Sequence, residues 1–155
     1  WYKPNASPNL GRRMFTASHE TLIWASKSKK AKHTFNYQLL REGAFPSDRF
    51  KNPGRQMRSA WETFDPRDSL WPITTPRKYE KEFGKHPTQK PLALMERIVL
   101  SSTQEGDVVL DPFCGSGTTG VASIESGREF IGIDSERAFL RDLAKRRITQ
   151  SLKAR

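Results

Sequence analysis

Cysteine is nearly absent from this chain of 155 residues: Cys114 stands alone. An internal disulfide and a thiolate-rich zinc site are therefore excluded, and this usage predicts an intracellular, cytoplasmic chain. No apolar run approaches the roughly 20 residues of a membrane-spanning helix. The first residues show no signal-peptide pattern, and neither an internal repeat nor a long low-complexity tract occurs. A starting methionine is missing as well: Trp1 opens the chain, which predicts a trimmed product or a fragment. Acidic residues are in deficit, 17 Asp plus Glu against 27 Lys plus Arg, for a net charge of +10. What is present excludes wholesale disorder. The hydrophobic fraction is 35%, with apolar runs at Asp107–Leu110 and Phe130–Ile133, in a length that suits one domain-sized core.

The charge is segregated. Residues 1–85 hold 17 basic and 8 acidic residues (+9), residues 86–140 hold 4 and 8 (−4), and residues 141–155 hold 6 and 1 (+5). Basic arms around an acidic centre suit a chain that lays one part on a polyanion, DNA or RNA, while the centre receives a cationic or neutral ligand. A solvated lysine surface accounts for the charge equally well.

Residues Trp1–Asn9 and Glu20–Ser26 read as two extended pieces, pairing as an antiparallel hairpin across the Gly11–Ser18 loop. From Lys27 to Lys85 no regular element is predicted. Prolines 46, 53, 66, 72 and 76 interrupt a stretch in which aromatics alternate with arginines. Arg49, Arg55, Arg58 and Arg67, with Arg12 and Arg13 in the hairpin loop, are candidate DNA contacts. An insertion whose aromatics form a small core of their own is the competing reading. Regularity returns at His86. Leu92, Met95, Ile98 and Val99 recur at helical spacing over Pro91–Thr103. Asp107–Asp111 reads as a buried parallel strand, and the Gly115–Gly120 turn leads into a helix reaching about Ser126. Phe130–Ile133 is the next strand, and Ser135 is positioned to cap a last helix whose buried stripe is Leu140, Leu143, Ala144 and Ile148. Helix, strand, helix, strand, helix is half of a parallel α/β sheet, with a ligand crevice beyond the strand ends.

Gly115, Gly117 and Gly120 spell G-x-G-x-x-G after a strand and before a helix, and Asp134 follows the next strand. Taken alone, that is the dinucleotide-binding fingerprint, in which the acid binds the ribose hydroxyls of an adenosine. Asp111, just before the loop, discriminates among ligands. A carboxylate there repels a pyrophosphate at a helix N-terminus, whereas it attracts a ligand carrying an ammonium and a sulfonium beside its adenosine, such as S-adenosylmethionine (SAM). A phosphate-binding P-loop is excluded because no Lys followed by Ser or Thr stands in the turn. A dinucleotide-binding oxidoreductase stays open on these residues alone.

Asp111-Pro112-Phe113-Cys114-Gly115-Ser116-Gly117-Thr118-Thr119-Gly120, preceded by His86-Pro87-Thr88-Gln89-Lys90-Pro91, resembles the β-class DNA amino-methyltransferases, which methylate adenine N6 or cytosine N4. In that permuted class the HPTQKP element comes immediately before the glycine loop. Trp1-Tyr2-Lys3-Pro4-Asn5 and His19 to Lys27 resemble the late strands of the family's catalytic half. The resemblance implies a partial Rossmann-like α/β sheet, mostly parallel with an antiparallel hairpin, plus an irregular target-recognition insertion. Residues 1–35 would be the late strands, 36–85 the target-recognition region and 86–155 the SAM-binding region. Asp111, Phe113, Gly115, Ser116 and Gly117 would line the methionine end of SAM, Asp134 would bind the ribose, and Thr88 and Lys90 would hold the methionine carboxylate. A surface lysine at a helix start is the plainer account of Lys90, although a cation is disfavoured there by the helix dipole. Cys114 reads as a packing residue, since the cytosine-C5 enzymes place their nucleophilic cysteine after a proline in a different motif.

The family polarises the target amine with a D/S/N-P-P-Y/F/W tetrapeptide, whose aromatic stacks on the flipped base. No such tetrapeptide occurs here, so no catalytic residue is assigned. The resemblance thus implies the C-terminal part of a methyltransferase acting on double-stranded DNA in restriction-modification, with adenine N6 preferred to cytosine N4. Its upstream part would be supplied by the rest of the same enzyme, without a membrane, and dimers are known among related enzymes. A non-catalytic nucleic-acid-binding module retaining the fold is the reading from another class.

Overall fold

A computed structural model describes residue 1, residues 19–42, residue 76 and residues 78–154. The chain divides into two units, Trp1–His33 with Tyr37–Thr75, and Thr34–Asn36 with Pro76–Arg155.

In the first unit Trp1 and Glu20 exchange two backbone hydrogen bonds of 2.8 Å, the signature of an antiparallel pair. No further pairing is seen among the described residues beyond the bridge at His19. Residues 21–26 belong to no strand, contrary to the expectation for Glu20–Ser26, and Ile23 and Trp24 are exposed. A two-stranded ribbon without a covered face is marginal in water, so alternation alone does not make a strand. A short helix, α1 (Tyr37–Glu42), appears where no element was expected, with Leu40 buried.

The second unit begins at a single 3-10 turn, Tyr79–Lys81. It continues through α2 (Leu92–Ser102), β1 (Val108–Asp111), α3 (Thr118–Glu125) and β2 (Glu129–Gly132). A π-helical turn, Phe139–Ala144, runs without a break into α4 (Lys145–Lys153). The two strands pair in parallel, with Val108 opposite Glu129, Leu110 opposite Ile131 and Asp111 opposite Gly132. Helix α3 is the crossover. It lies against both strands and packs in turn on α2 and α4.

Pro91 directly precedes α2, as its lack of an N–H favours. The open amide of Leu92 is met by Glu80 Oε2 at 2.8 Å. At the other end of α2, Asn36 Nδ2 donates to the carbonyls of Leu100 and Thr103, both at 2.7 Å. Arg128 reaches Thr103 O and also the carbonyl of Ser126 beyond α3. Polar side chains thus satisfy helix ends that would otherwise be orphaned.

The core departs from expectation in three places. On α2 Val99 is buried as expected, but Leu92, Met95 and Ile98 are half-buried and Leu94 and Arg97 are buried instead. On the last helix Leu143 and Ala144 are buried as predicted, but Arg147 joins them at 6% exposure. Finally, β1 and β2 are covered on one face only. Val108, Leu110, Ile131 and Ile133 are each more than half exposed, so β1 is not the doubly covered strand its composition suggested. No described helix is long and apolar enough to cross a membrane.

Candidate functional site

The site forms where the two parallel strands end. Beyond the ladder, Ile133 N donates to Asp111 O and Cys114 N to Ile133 O, both at 2.9 Å. These bonds hold the two strand ends together around the turn that follows β1. The turn is left-handed at Gly115 (φ 46°) and Gly117 (φ 72°), a conformation that costs other residues roughly 1–2 kcal/mol. A β-carbon on Gly115 would stand 3.0 Å from His86 Nε2, and one on Gly117 would stand 2.9 Å from Ala144 Cα. The loop therefore has both its shape and its neighbours only with glycine at these points.

Two carboxylates flank the loop. Asp111 accepts from Phe113 N through Oδ1 (3.0 Å) and from the Thr119 hydroxyl through Oδ2 (2.6 Å). Asp134 accepts from Glu136 N through Oδ1 (2.9 Å) and from Gly115 N through Oδ2 (2.7 Å). The Glu136 and Gly115 amides hold the Asp134 carboxyl below the usual carboxylate range. Each carboxylate has further lone pairs for a ligand's donors. Between them the buried Cys114 thiol is pushed up to about 11, by desolvation first and then by Asp111 and Asp134. It stays protonated at neutral pH and is unsuited to nucleophilic attack.

The other expected cofactor residues divide. Ser116 is buried, and its hydroxyl is bonded inward to Thr118 Oγ1 at 3.0 Å, so its side chain serves the loop's interior. Phe113 is 86% exposed beside Asp111. Thr88 is exposed, with its amide donating to His86 Nδ1 at 3.3 Å. The His86 ring in turn meets Gly115, which ties the HPTQKP element to the glycine loop. Lys90 is half-buried just before Pro91. The adjacent Gln89 is buried and donates to Glu80 O at 2.8 Å. The arginines proposed for DNA (Arg12, Arg13, Arg49, Arg55, Arg58 and Arg67) lie outside the described residues. At the start of the last helix, Asp134 and Glu136 hold the amides of Glu136 and Ala138, where Ser135 had been expected to cap.

A family model described as DNA methylase, of the N6/N4 type, matches residues 1–146. The chain belongs to the N6/N4 DNA methylase family. Among curated relatives it is similar to the type II methyltransferase M2.DpnII of Streptococcus pneumoniae, 48% identical over 94% of this chain and 48% of that protein. M2.LlaDCHI of Lactococcus lactis subsp. cremoris is 46% identical over 97% of this chain and 49% of that protein. M2.MboI of Moraxella bovis is 46% identical over 95% and 47%. Among solved structures, the M1.HpyAVI–SAM complex superposes with a TM-score of 0.62 and 35% identity, over 96% of this chain and 59% of that one. The chain thus spans about half the length of the curated relatives it matches. Its α/β architecture, with a parallel strand pair, is that of an N6/N4 methylase.

Sequence reasoning missed three residues that the structure ties to the glycine loop or to the HPTQKP element beside it. His86 was noticed only as a motif letter, yet its ring contacts Gly115 and lies 4.3 Å from the Phe139 ring. Glu80 lay in a segment read as irregular. Arg147 was counted with a basic tail, although its place between Ala144 and Ile148 on the apolar stripe was the signal available.

Proposed function

We propose that this chain carries the cofactor site of a SAM-dependent DNA amino-methyltransferase that modifies adenine at N6, in a cytoplasmic restriction-modification system. The observation that supports this most strongly is the pair of carboxylates, Asp111 and Asp134, on either side of a left-handed glycine loop at the ends of two parallel strands. This pair of anionic acceptors suits a cationic adenosine derivative and opposes a pyrophosphate. When bound, SAM supplies an electrophilic methyl group on a sulfonium.

Around it, Asp111 places negative charge beside the loop, and Asp134 offers its spare lone pairs to ribose hydroxyls. Lys90, with the Thr88 hydroxyl, supplies the positive counterpart for a carboxylate. The protonated Cys114 thiol argues against a covalent enzyme–base intermediate and for direct transfer to an exocyclic amine. That amine must lose its conjugation with the ring to attack, so its hydrogens need acceptors close to the methyl group. The D/S/N-P-P-Y/F/W tetrapeptide that does this in the family is absent from residues 1–155, and no residue of this chain is assigned that role. Double-stranded DNA is the macromolecular substrate, met by the +9 portion of the chain.

Calorimetric titration with SAM tests the site. Wild type is expected to bind, and Asp111→Ala to bind at least about tenfold more weakly, the worth of one charge-assisted contact. The wild-type chain is expected to transfer no methyl group to DNA by itself. An unchanged Asp111→Ala isotherm would sink the assignment of Asp111, and methyl transfer by the 155-residue chain would show that it contains the polarising group after all.

A further inference from the structure

One helix face backs the whole glycine loop. The Phe139 ring lies against His86 (4.3 Å between centroids, tilted by 59°), and His86 meets Gly115. Ala144 meets Gly117, and Ile148 lies where a side chain on Gly120 would be. Arg147 is buried, and its Nη1 donates both to Ser116 O (2.7 Å) and to Thr118 Oγ1 (2.9 Å). A straight α-helix does not present Phe139 and Ala144 on one side, since residues five apart diverge at 3.6 residues per turn. The π turn Phe139–Ala144 corrects this, because its hydrogen bonds join residues five apart and stack them. Ala144, Arg147 and Ile148 then follow at ordinary α-helical spacing. The extra residue thus aligns Phe139, which reaches the loop through His86, with three residues that touch the span 115–120 directly.

We propose that Arg147 is the positioning residue of this cofactor loop, fixing the Ser116 carbonyl and the Thr118 hydroxyl from behind so that the turn is held ready for SAM. The inference rests on the SAM reading of the site. Removing a guanidinium from a nearly water-free position leaves two acceptors without their donor, and the strain falls on the two residues that bracket Gly117. A general surface charge does not explain Arg147, because its head is buried and its bonds end on the loop. Desolvation lowers its pKa, and the Glu80 and Glu125 carboxylates only partly offset that by favouring the charged form. Preorganisation of this kind acts on affinity without the residue touching the ligand.

The experiment is SAM calorimetry, paired with thermal melting and amide hydrogen exchange, on the 155-residue chain and three variants. Arg147→Lys keeps the charge but is one bond too short to reach both acceptors. It is expected to remain folded, to bind SAM about tenfold more weakly and to exchange faster at Gly115–Thr119 than elsewhere. Thr118→Val, which removes a single acceptor and no charge, is expected to weaken binding in the same direction should the Arg147 variant unfold. Arg146→Met, on the exposed side of the same helix, controls for the loss of a positive charge and is expected to bind as wild type does. A folded Arg147→Lys that binds SAM within twofold of wild type overturns the inference, as does faster exchange spread evenly over the chain. Failure of the wild-type chain to bind SAM overturns the reading of the site itself, and the inference falls with it.

Discussion

Asp134 shows how a single carboxylate can tie a loop to the start of the next helix. Its two oxygens hold the Glu136 and Gly115 amides, and those amides depress its pKa in the folded chain. An unfolded aspartate titrates near about 3.9. The stabilisation from Asp134 is therefore complete above that value and is lost as the pH falls through the lower folded one. Replacing it by Asn keeps the size and one carbonyl acceptor but removes the charge. Asp134→Asn is expected to be less stable than wild type at pH 7, by a margin that narrows as the pH is lowered from 7 through the aspartate range and the wild-type group takes up its proton. Urea denaturation of both proteins across that range is the measurement. A margin independent of pH would mean that the charge contributes nothing and that the amides are held by geometry alone. The exposure of the group keeps the expected effect small.

At the scale of elements, helix α2 depends on a residue twelve positions before it. Pro91 has no side-chain oxygen to cap the helix, and Glu80 Oε2 supplies the bond to Leu92 N. Glu80→Ala is expected to lower stability by about 1–2 kcal/mol, the usual worth of a helix N-cap, with Glu80→Gln recovering part of the loss. Amide exchange at Leu92 locates the effect, and unchanged protection there in Glu80→Ala would remove Glu80 from this role. Residues of this kind mark the limit of what the sequence makes legible. The strand–glycine loop–helix unit from Val108 to Glu125 was readable because its constraints are local: left-handed turns require glycine, and a short apolar run before them requires a strand. The Asp111 and Asp134 positions followed from the same spacing. Glu80, Arg97 and Arg147 were not readable in that way, because charged side chains are exposed by default and only tertiary partners bury them. The π turn was hidden because periodicity is read at 3.6 residues. Residues 20–26 carry strand-forming residue types, yet the described pairing ends at Trp1 and Glu20, since covering a face is a property of the fold and not of the segment.

For the molecule as a whole, the opening charge asymmetry and the half-covered sheet bear on the same question, namely which surfaces await something else. The +5 of residues 141–155 is not a uniform basic tail, because Arg147 points inward to the loop and Arg146 lies over the Phe83 ring at 5.2 Å. The sheet carries the larger anomaly. Parallel strands are normally covered on both faces, whereas here Val108, Leu110, Ile131 and Ile133 are 54%, 58%, 52% and 54% exposed. The parallel register puts Leu110 beside Ile131, so the four side chains form one contiguous apolar strip rather than scattered surface residues. Such a strip is expected to make the chain self-associate without adding to its own stability. The double substitution Leu110→Thr with Ile131→Thr is accordingly expected to change unfolding free energy by no more than about 0.5 kcal/mol per site, the range of ordinary surface changes. Thr is chosen because it retains strand propensity. In sedimentation velocity the variant is expected to shift from mixed oligomers toward monomer. A loss of 2 kcal/mol or more, the size expected when a buried aliphatic side chain is removed, would instead mean that this face is covered in solution by the chain itself.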